Sequence, residues 1–310
     1  MKTYRILYRG SLSSCNFDCS YCPFAKTTNT KEELRVDAEQ LQKFVEWVSQ
    51  TDNQIGVMFT PWGEAIIHSY YRQAMIRLSQ LPNVERVSMQ TNLSCRLDDF
   101  EAVDRDAFSL WTTFHPDQVS LDRFLERCND LIGMDIRFSV GVVGLRQHFD
   151  AIQQLRDRLP DHVYVWINSY KREPDYYQEQ DLEFLNSIDP YFHLNCHYYP
   201  SAGEGCRAGD TAFTIDGNGD VRRCHFIDKV IANIYRDDIF ASLRPTLCTN
   251  QTCGCHIGYV NQHKRKLDQL FEKNILERIP ASWPIRDPRF TAANLKLAVR
   301  HRFNKKGRSG

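Results

Sequence analysis

Three cysteines stand close together in the segment CNFDCSYC: Cys15, Cys19 and Cys22, with three residues and then two between them. Thiolates at such spacing are metal ligands, and tetrahedral zinc sites and iron–sulfur clusters ordinarily take four of them from the protein. Three leave one position open. In a four-iron, four-sulfur cube, three thiolates anchor three irons and the fourth iron is free to bind a group that is not protein, by the logic that separates catalytic from structural zinc. The missing ligand is then the reactive feature. A zinc knuckle or three solvated thiols are the bland alternatives.

The chain holds eleven cysteines. A second set, Cys206, Cys224, Cys248, Cys253 and Cys255, lies far from the first. Five thiolates cannot complete two four-ligand sites, so one further metal site is the economical count. Four of the five would serve it, or three with an open position. Cys253 and Cys255 are separated only by Gly254, which makes it hard for both to bind one cube, and spacing does not choose among the last three. Zinc held by four of these thiolates competes with iron–sulfur. Cys95, Cys128 and Cys196 carry no spacing signal; Cys128 falls on the apolar face of an expected helix and reads as a small core residue.

Clustered cysteines favour metal over disulfides in a reducing compartment. A cytoplasmic protein is expected, because the opening MKTYRILYRG lacks an apolar signal core and no run of about 18 apolar residues marks a membrane span. Lys plus Arg and Asp plus Glu balance at 39 each, so charge gives no reason to expect nucleic acid or a membrane surface as partner.

The elements that must position these cysteines follow from periodicity. Tyr4, Ile6 and Tyr8 alternate as a strand, and the cysteine loop follows it. Leu41, Phe44, Val45 and Val48 then recur at helical spacing over Ala38–Gln50, with Asp37 as N-cap. Strands are expected from Ile55, Val84, Phe108, Asp135 and Val163, with helices over 70–81, weakly over 98–103, over 120–133 with Gly133 as stop, over 148–159 and over 180–188. Such alternation predicts an α/β fold with a parallel sheet, a partial (β/α)6 barrel of TIM type whose chemistry gathers where strands end, occupying residues 1–191. After about residue 192 the pattern changes. TAFTI, the turn DGNG and DVRRC read as a β-hairpin with Cys206 and Cys224 at its ends, part of a separate cysteine-rich module over 192–260. Residues 261–310 hold a helix over Leu267–Ile275 and a tail from Thr291 with six Lys or Arg and no acid, read as a solvated terminus.

The Cys-x3-Cys-x2-Cys pattern, with Tyr21 before its third cysteine and a strand before its first, resembles the signature of the radical S-adenosylmethionine (SAM) superfamily. In that family the open iron chelates the amino and carboxylate groups of SAM. The resemblance implies a [4Fe-4S] cluster on Cys15, Cys19 and Cys22. FTPWGEAII resembles the family's Gly-Gly-Glu turn, with Gly63 and Glu64 matching and Trp62 in place of the first glycine. MQTNLS resembles a Thr-Asn-Gly turn, with Asn92 at the tip and Leu93 where glycine is usual. Thr113 and His115 fall at the loop face after the fourth strand, where packing is the alternative role for His115. In RFSVGVVG, a loose match, Val143 is placed against adenine and Ser139 towards ribose; Tyr21 holds adenine by stacking or by its backbone, or is a buried aromatic. Asn168 and Tyr170 border the same mouth. Cys206, twelve residues, Gly219, four residues and Cys224 fit the opening of the SPASM/twitch module that follows many such barrels, and the truncated run CTNQTCGC implies the shorter form with one auxiliary [4Fe-4S] cluster. The resemblance spans about Tyr4 to Tyr259.

What it implies is a radical SAM enzyme that cleaves SAM reductively and abstracts hydrogen from a C–H bond, served by a reductant such as flavodoxin or ferredoxin. Peptide or protein modification is the first substrate class, small-molecule modification the second. Two rivals stand beside it: an iron–sulfur electron-transfer or redox-sensing protein, and a zinc-stabilised binding scaffold. Neither needs the glycine and Asn92 cradle.

Overall fold

Alternation in the first strand sets the two faces of the sheet. In β1 (Thr3–Arg9) Tyr4, Ile6 and Tyr8 are buried while Arg5, Leu7 and Arg9 are half-buried on the opposite face. The computed structural model describes residues 2–24 and 26–284. Through its first half strand and helix alternate as α1 (Lys31–Gln50), β2 (Gln54–Phe59), α2 (Ser69–Ser79), β3 (Val84–Thr91), β4 (Phe108–Phe114), α3 (Leu121–Gly133), β5 (Arg137–Val143), α4 (Phe149–Arg158), β6 (Val165–Asn168) and α5 (Glu179–Ile188). Strands β1 to β6 pair in parallel and in order. One sheet face packs on the helices' apolar sides, including Leu41 and Phe44 of α1 and Phe124 and Cys128 of α3. Arg9, Met58, Trp111 and Trp166, from the strands' other face, line a cavity. This is the mixed α/β architecture with a large parallel sheet that the alternation predicts.

Three local expectations shift. Helix α1 begins at Lys31, capped by Thr30 in a capping box with Glu33, so Asp37 lies inside the helix and is buried. The weak helix between β3 and β4 is a 3-10 turn, Asp98–Ala102. Gly133 is the last residue of α3, and the left-handed residue that ends the turn is Asp135, φ 56°.

The second half continues as α6 (Phe192–Asn195), β7 (Tyr199–Pro200), β8 (Gly205–Cys206), β9 (Ala212–Asp216), β10 (Asp220–Arg222), β11 (Val230–Asn233), α7 (Ile239–Ser242), β12 (Thr246–Leu247), β13 (Thr252–Cys253), α8 (His256–Tyr259) and α9 (Leu267–Phe271). The hairpin does not stand apart. Strand β9 pairs in parallel with β1, from Arg5 opposite Ala212 to Arg9 opposite Asp216, and β10 and β11 follow antiparallel to make a nine-stranded sheet. The physical reason is that β1 would otherwise be a bare edge. Phe213, Ile215 and Val221 extend the same core, with Tyr4 ring centroids 6.2 Å from Phe213 and 4.8 Å from Phe240. Two short pairs, β8 with β12 and β7 with β13, carry three of the later cysteines on or beside their strands.

The expected helix over Leu267–Ile275 stops at Phe271, and the chain then turns in across the N-terminal ends of the strands. A Cβ on Gly56 would lie 3.1 Å from Leu276, so glycine makes room for the plug. Glu277 is wholly buried, its carboxylate 3.4 Å from Arg86 Nε and 3.8 Å from Arg137 Nη1. The tail from Thr291 lies outside the described residues, none of whose helices is long and apolar enough to cross a membrane.

Candidate functional site

The cysteine loop leaves β1 and is tied down at its start by two side-chain acceptors. Asp37 Oδ1 takes the N–H groups of Ser11 at 2.7 Å and Leu12 at 3.0 Å, and its Oδ2 takes Tyr70 Oη at 2.9 Å. Asn29 Oδ1 takes the N–H groups of Ser13 and Ser14, both at 2.8 Å. The segment after β2 runs alongside: Trp62 N donates to Leu12 O at 3.2 Å and Glu64 N to Ser14 O at 3.0 Å. Between them Gly63 has no alternative, because a Cβ there would sit 1.8 Å from Ser14 O. Trp62, which replaces a glycine of the family pattern, keeps the backbone contact by turning outward, with Phe24 at 4.6 Å and the Arg9 guanidinium at 4.1 Å from its ring.

Glu64 joins the turns after β2 and β3. Its buried carboxylate accepts from Thr91 Oγ1 and Asn92 N, both at 2.7 Å, and from Ile66 N at 3.3 Å. Burial pushes this carboxyl up to about 7 although all three hydrogen bonds oppose the shift. Asn92, so held, points Nδ2 at Asn16 Oδ1, 3.0 Å, and towards Cys15 Sγ, 4.0 Å. Leu93 takes the left-handed conformation, φ 60°, that glycine usually fills.

His115, after β4, closes the other side of the loop. Its Nδ1 is 2.8 Å from Tyr21 Oη and 3.3 Å from Cys19 Sγ, and its ring stacks on Tyr21 with centroids 6.0 Å apart. Burial, with His148 nearby, pushes the imidazole down to about 4, so the ring is neutral at physiological pH. His148 pairs with Asp117 at 3.1 Å. Tyr21 is thus a packed aromatic with a hydrogen-bonded hydroxyl. The fold gathers Cys15, Cys19, Cys22, Tyr21, Gly63, Glu64, Asn92 and His115 at one edge of the sheet. Thr113 and Val143 are at or next to the ends of their strands on that edge. Ser139 does not join them. It is fully buried near the floor, donating to Glu277 O at 2.6 Å and taking Trp166 Nε1 at 3.2 Å. Its distance from the mouth follows from its place in the first half of β5.

The loop's donor set fits a cluster. All three thiols are free, and Phe17 N already points at Cys15 Sγ, 3.4 Å. Burial pushes Cys15 up to about 11 and Cys19 upward, so these thiols ionise when a cation compensates them. Among the described residues no three Cys, His, Asp or Glu converge on a single ion position.

The five later cysteines line one cavity of about 690 Å³, which the inward strand faces and the barrel floor also bound. Cys206 on β8 lies opposite Thr246, two residues before Cys248; Cys224 follows β10; Cys253 on β13 is paired with Tyr199. Burial pushes Cys224 up to about 11 and Cys253 to about 12, and their mutual repulsion with Cys206 and Cys248 adds to it. Asn168 and Lys171 border the same cavity. Sequence reasoning missed Asp37 and Asn29 as loop anchors. A polar residue at the start of a helical pattern reads as a cap, and only the Ser11 and Leu12 amides that Asp37 accepts reveal the other role.

No protein-family model and no curated protein matches the sequence. Solved structures do match, and what this chain shares with them is the fold. Native anSMEcpe with bound AdoMet and Kp18Cys peptide superposes with a TM-score of 0.55 at 12% identity, covering 98% of this chain and 98% of that one. The Cp18Cys peptide complex of the same protein gives 0.53 at 12% identity, covering 95% and 99%. SuiB of Streptococcus suis bound to S-adenosylmethionine gives 0.52 at 13% identity, covering 77% of this chain and 65% of its own.

Proposed function

We propose that this protein is a radical SAM enzyme that abstracts hydrogen from a substrate C–H bond, with a peptide or protein as the first substrate class. One observation carries the reading. Gly63, Glu64 and Asn92, from two different strand ends, interlock with the backbone and side chains of the Cys15–Cys22 loop. A scaffold or an electron carrier has no use for a glycine pressed against Ser14 or a buried carboxyl that orders Asn92.

Cys15, Cys19 and Cys22 would hold a [4Fe-4S] cluster with one open iron. When bound, the cluster and SAM supply an electron and a 5′-deoxyadenosyl radical. The chain's own part is positional. Gly63 leaves backbone groups bare for the methionine end of the cofactor, Glu64 fixes the turn that presents Asn92, and neutral His115 holds Tyr21 and Cys19 in place. Four of the five later cysteines would hold one auxiliary cluster of the twitch-like kind, bordering the cavity where substrate would lie. A low-potential reductant such as flavodoxin or ferredoxin is the implied partner. The peptide class draws support from the peptide-bound similar structure, which is about that protein.

The test is asymmetric. Anaerobically reconstituted protein should carry about eight irons, four per cube, and release 5′-deoxyadenosine when reduced with SAM. Cys19→Ala should abolish release. Cys224→Ala should keep it while losing product. Loaded, reduced protein that releases none fails the reading and leaves electron transfer in its place; stoichiometric zinc at the second site removes the auxiliary cluster.

A further inference from the structure

Arg278 is only 4% exposed and lines the cavity from its floor. Its guanidinium lies 4.3 Å from the Trp166 ring centroid and 5.6 Å from that of Trp111. The two indoles give it a flat shelf and no hydrogen-bond acceptor. Its buried Nε has no partner, and its side chain makes no ion pair among the described residues. Glu277, its neighbour, faces Arg86 and Arg137 instead. Asp189 acts on Arg278 only at longer range, since its oxygens already take Tyr164 Oη, Ile167 N and Tyr191 N.

Two further cations face the same space. Arg9 lies over Trp62, with Nε and Nη1 buried and unpartnered. Lys171 Nζ meets only neutral oxygens, Asn195 O at 2.8 Å and Gly254 O at 2.5 Å. Among the described lining residues Glu204 is the one carboxylate, and it is 3.0 Å from Lys264. Burying guanidinium donors without acceptors is strongly unfavourable, so the cavity is built for an anion that the chain does not supply.

Metal-bound thiolates on the wall of the same cavity are one source of negative charge, and the test below separates them from a bound carboxylate.

We propose that the cavity, between Arg278 on its floor, Lys171 beyond the end of β6 and the Trp111–Trp166 shelf, holds a subsite for a substrate carboxylate. The planar guanidinium fork matches a carboxylate with two parallel hydrogen bonds, and the indoles hold the fork in plane. With the peptide reading above, on which only the kind of molecule rests, the carboxylate belongs to an acidic side chain or a C-terminus.

Calorimetric titration of the cluster-loaded protein without SAM tests this. The probes are N-acetyl-glutamic acid α-amide, N-acetyl-alanine and the neutral N-acetyl-glutamine α-amide. One of the two carboxylates should bind saturably and at least tenfold tighter than the neutral probe; which one does so identifies the source. Arg278→Gln should cost tenfold or more, and Arg278→Lys less. If Arg278→Gln does not fold, the probe comparison on the unsubstituted protein decides, with Lys171→Gln expected to weaken carboxylate binding and unchanged binding counting against the subsite. Equal affinity for the acid and the amide, or no saturable binding, overturns the proposal. So does Arg278→Gln that shifts the auxiliary cluster's spectrum while probe binding is unchanged, since Arg278 then serves the cluster. Binding heat is read without 5′-deoxyadenosine release, so either result can fail alone.

Discussion

Burial and hydrogen bonding pull the Glu64 carboxyl in opposite directions, and burial prevails, placing it at about 7. A carboxyl raised in the folded state contributes stability that is fully present below the unfolded value, near 4.5, and is lost as pH rises through the folded value. Between those limits the unfolded chain gives up a proton that the folded chain keeps. In urea titrations of cluster-free protein, stability should fall by about 3 kcal/mol from pH 4.5 to 7.5 relative to its own acid value. Glu64→Gln should flatten that slope whatever its baseline. An unchanged slope would mean that another group titrates. Much of this site was legible at the same scale: Cys15, Cys19, Cys22, Gly63, Glu64, Asn92 and His115 belong to short motifs whose spacing survives folding. Ser139 was not, because its partner Glu277 lies 138 residues away in sequence.

The loop between β1 and α1 depends on an element rather than on its own sequence. Asp37 projects from inside α1 and replaces, for Ser11 and Leu12, the strand neighbours their amides have left behind. Asp37→Ala would strand the buried Leu12 donor and the half-buried Ser11 donor and should cost about 1–3 kcal/mol. Asp37→Asn keeps an acceptor oxygen and should cost much less. Urea midpoints check the energies. Iron retained after reconstitution checks the link to the site, and Asp37→Ala should lose barrel iron before auxiliary iron. The start of α1 was misjudged for a physical reason. Thr30 and Glu33 form a capping box seven residues before the apolar stripe gathers weight, and the turn they begin is mostly exposed. Five of the six strand–helix units were readable because each helix buries an apolar stripe, whereas the turn after β3 buries only Phe100.

At the scale of the molecule, the floor of the cavity comes from the chain that follows the last of the cysteines. Glu277 is buried between Arg86 of β3 and Arg137 of β5. Removing it leaves the buried Arg86 guanidinium without its nearest counter-charge, so Glu277→Ala should lower stability by about 3 kcal/mol. Glu277→Leu fills the space but leaves the same cations, and should be little better. Thermal midpoints of the two variants decide whether the charge or the volume matters. No local pattern foretold this plug, nor the joining of the hairpin to β1, because both are contacts between segments remote in the chain. The hairpin itself was plain from its turn residues.

That last pairing has a kinetic side. Strand β1 finds one neighbour in β2 within about fifty residues, but its other neighbour, β9, is made more than two hundred residues later. Until then the Tyr4, Ile6 and Tyr8 strand is a half-occupied template with a row of free amides, open to any extended chain that meets it. Closing it means joining a very long loop, a step that topology makes slow. The nascent protein therefore passes through a long interval in which its first strand is adhesive. Its yield in a cell should depend on chaperone supply far more than the stability of the finished sheet would suggest.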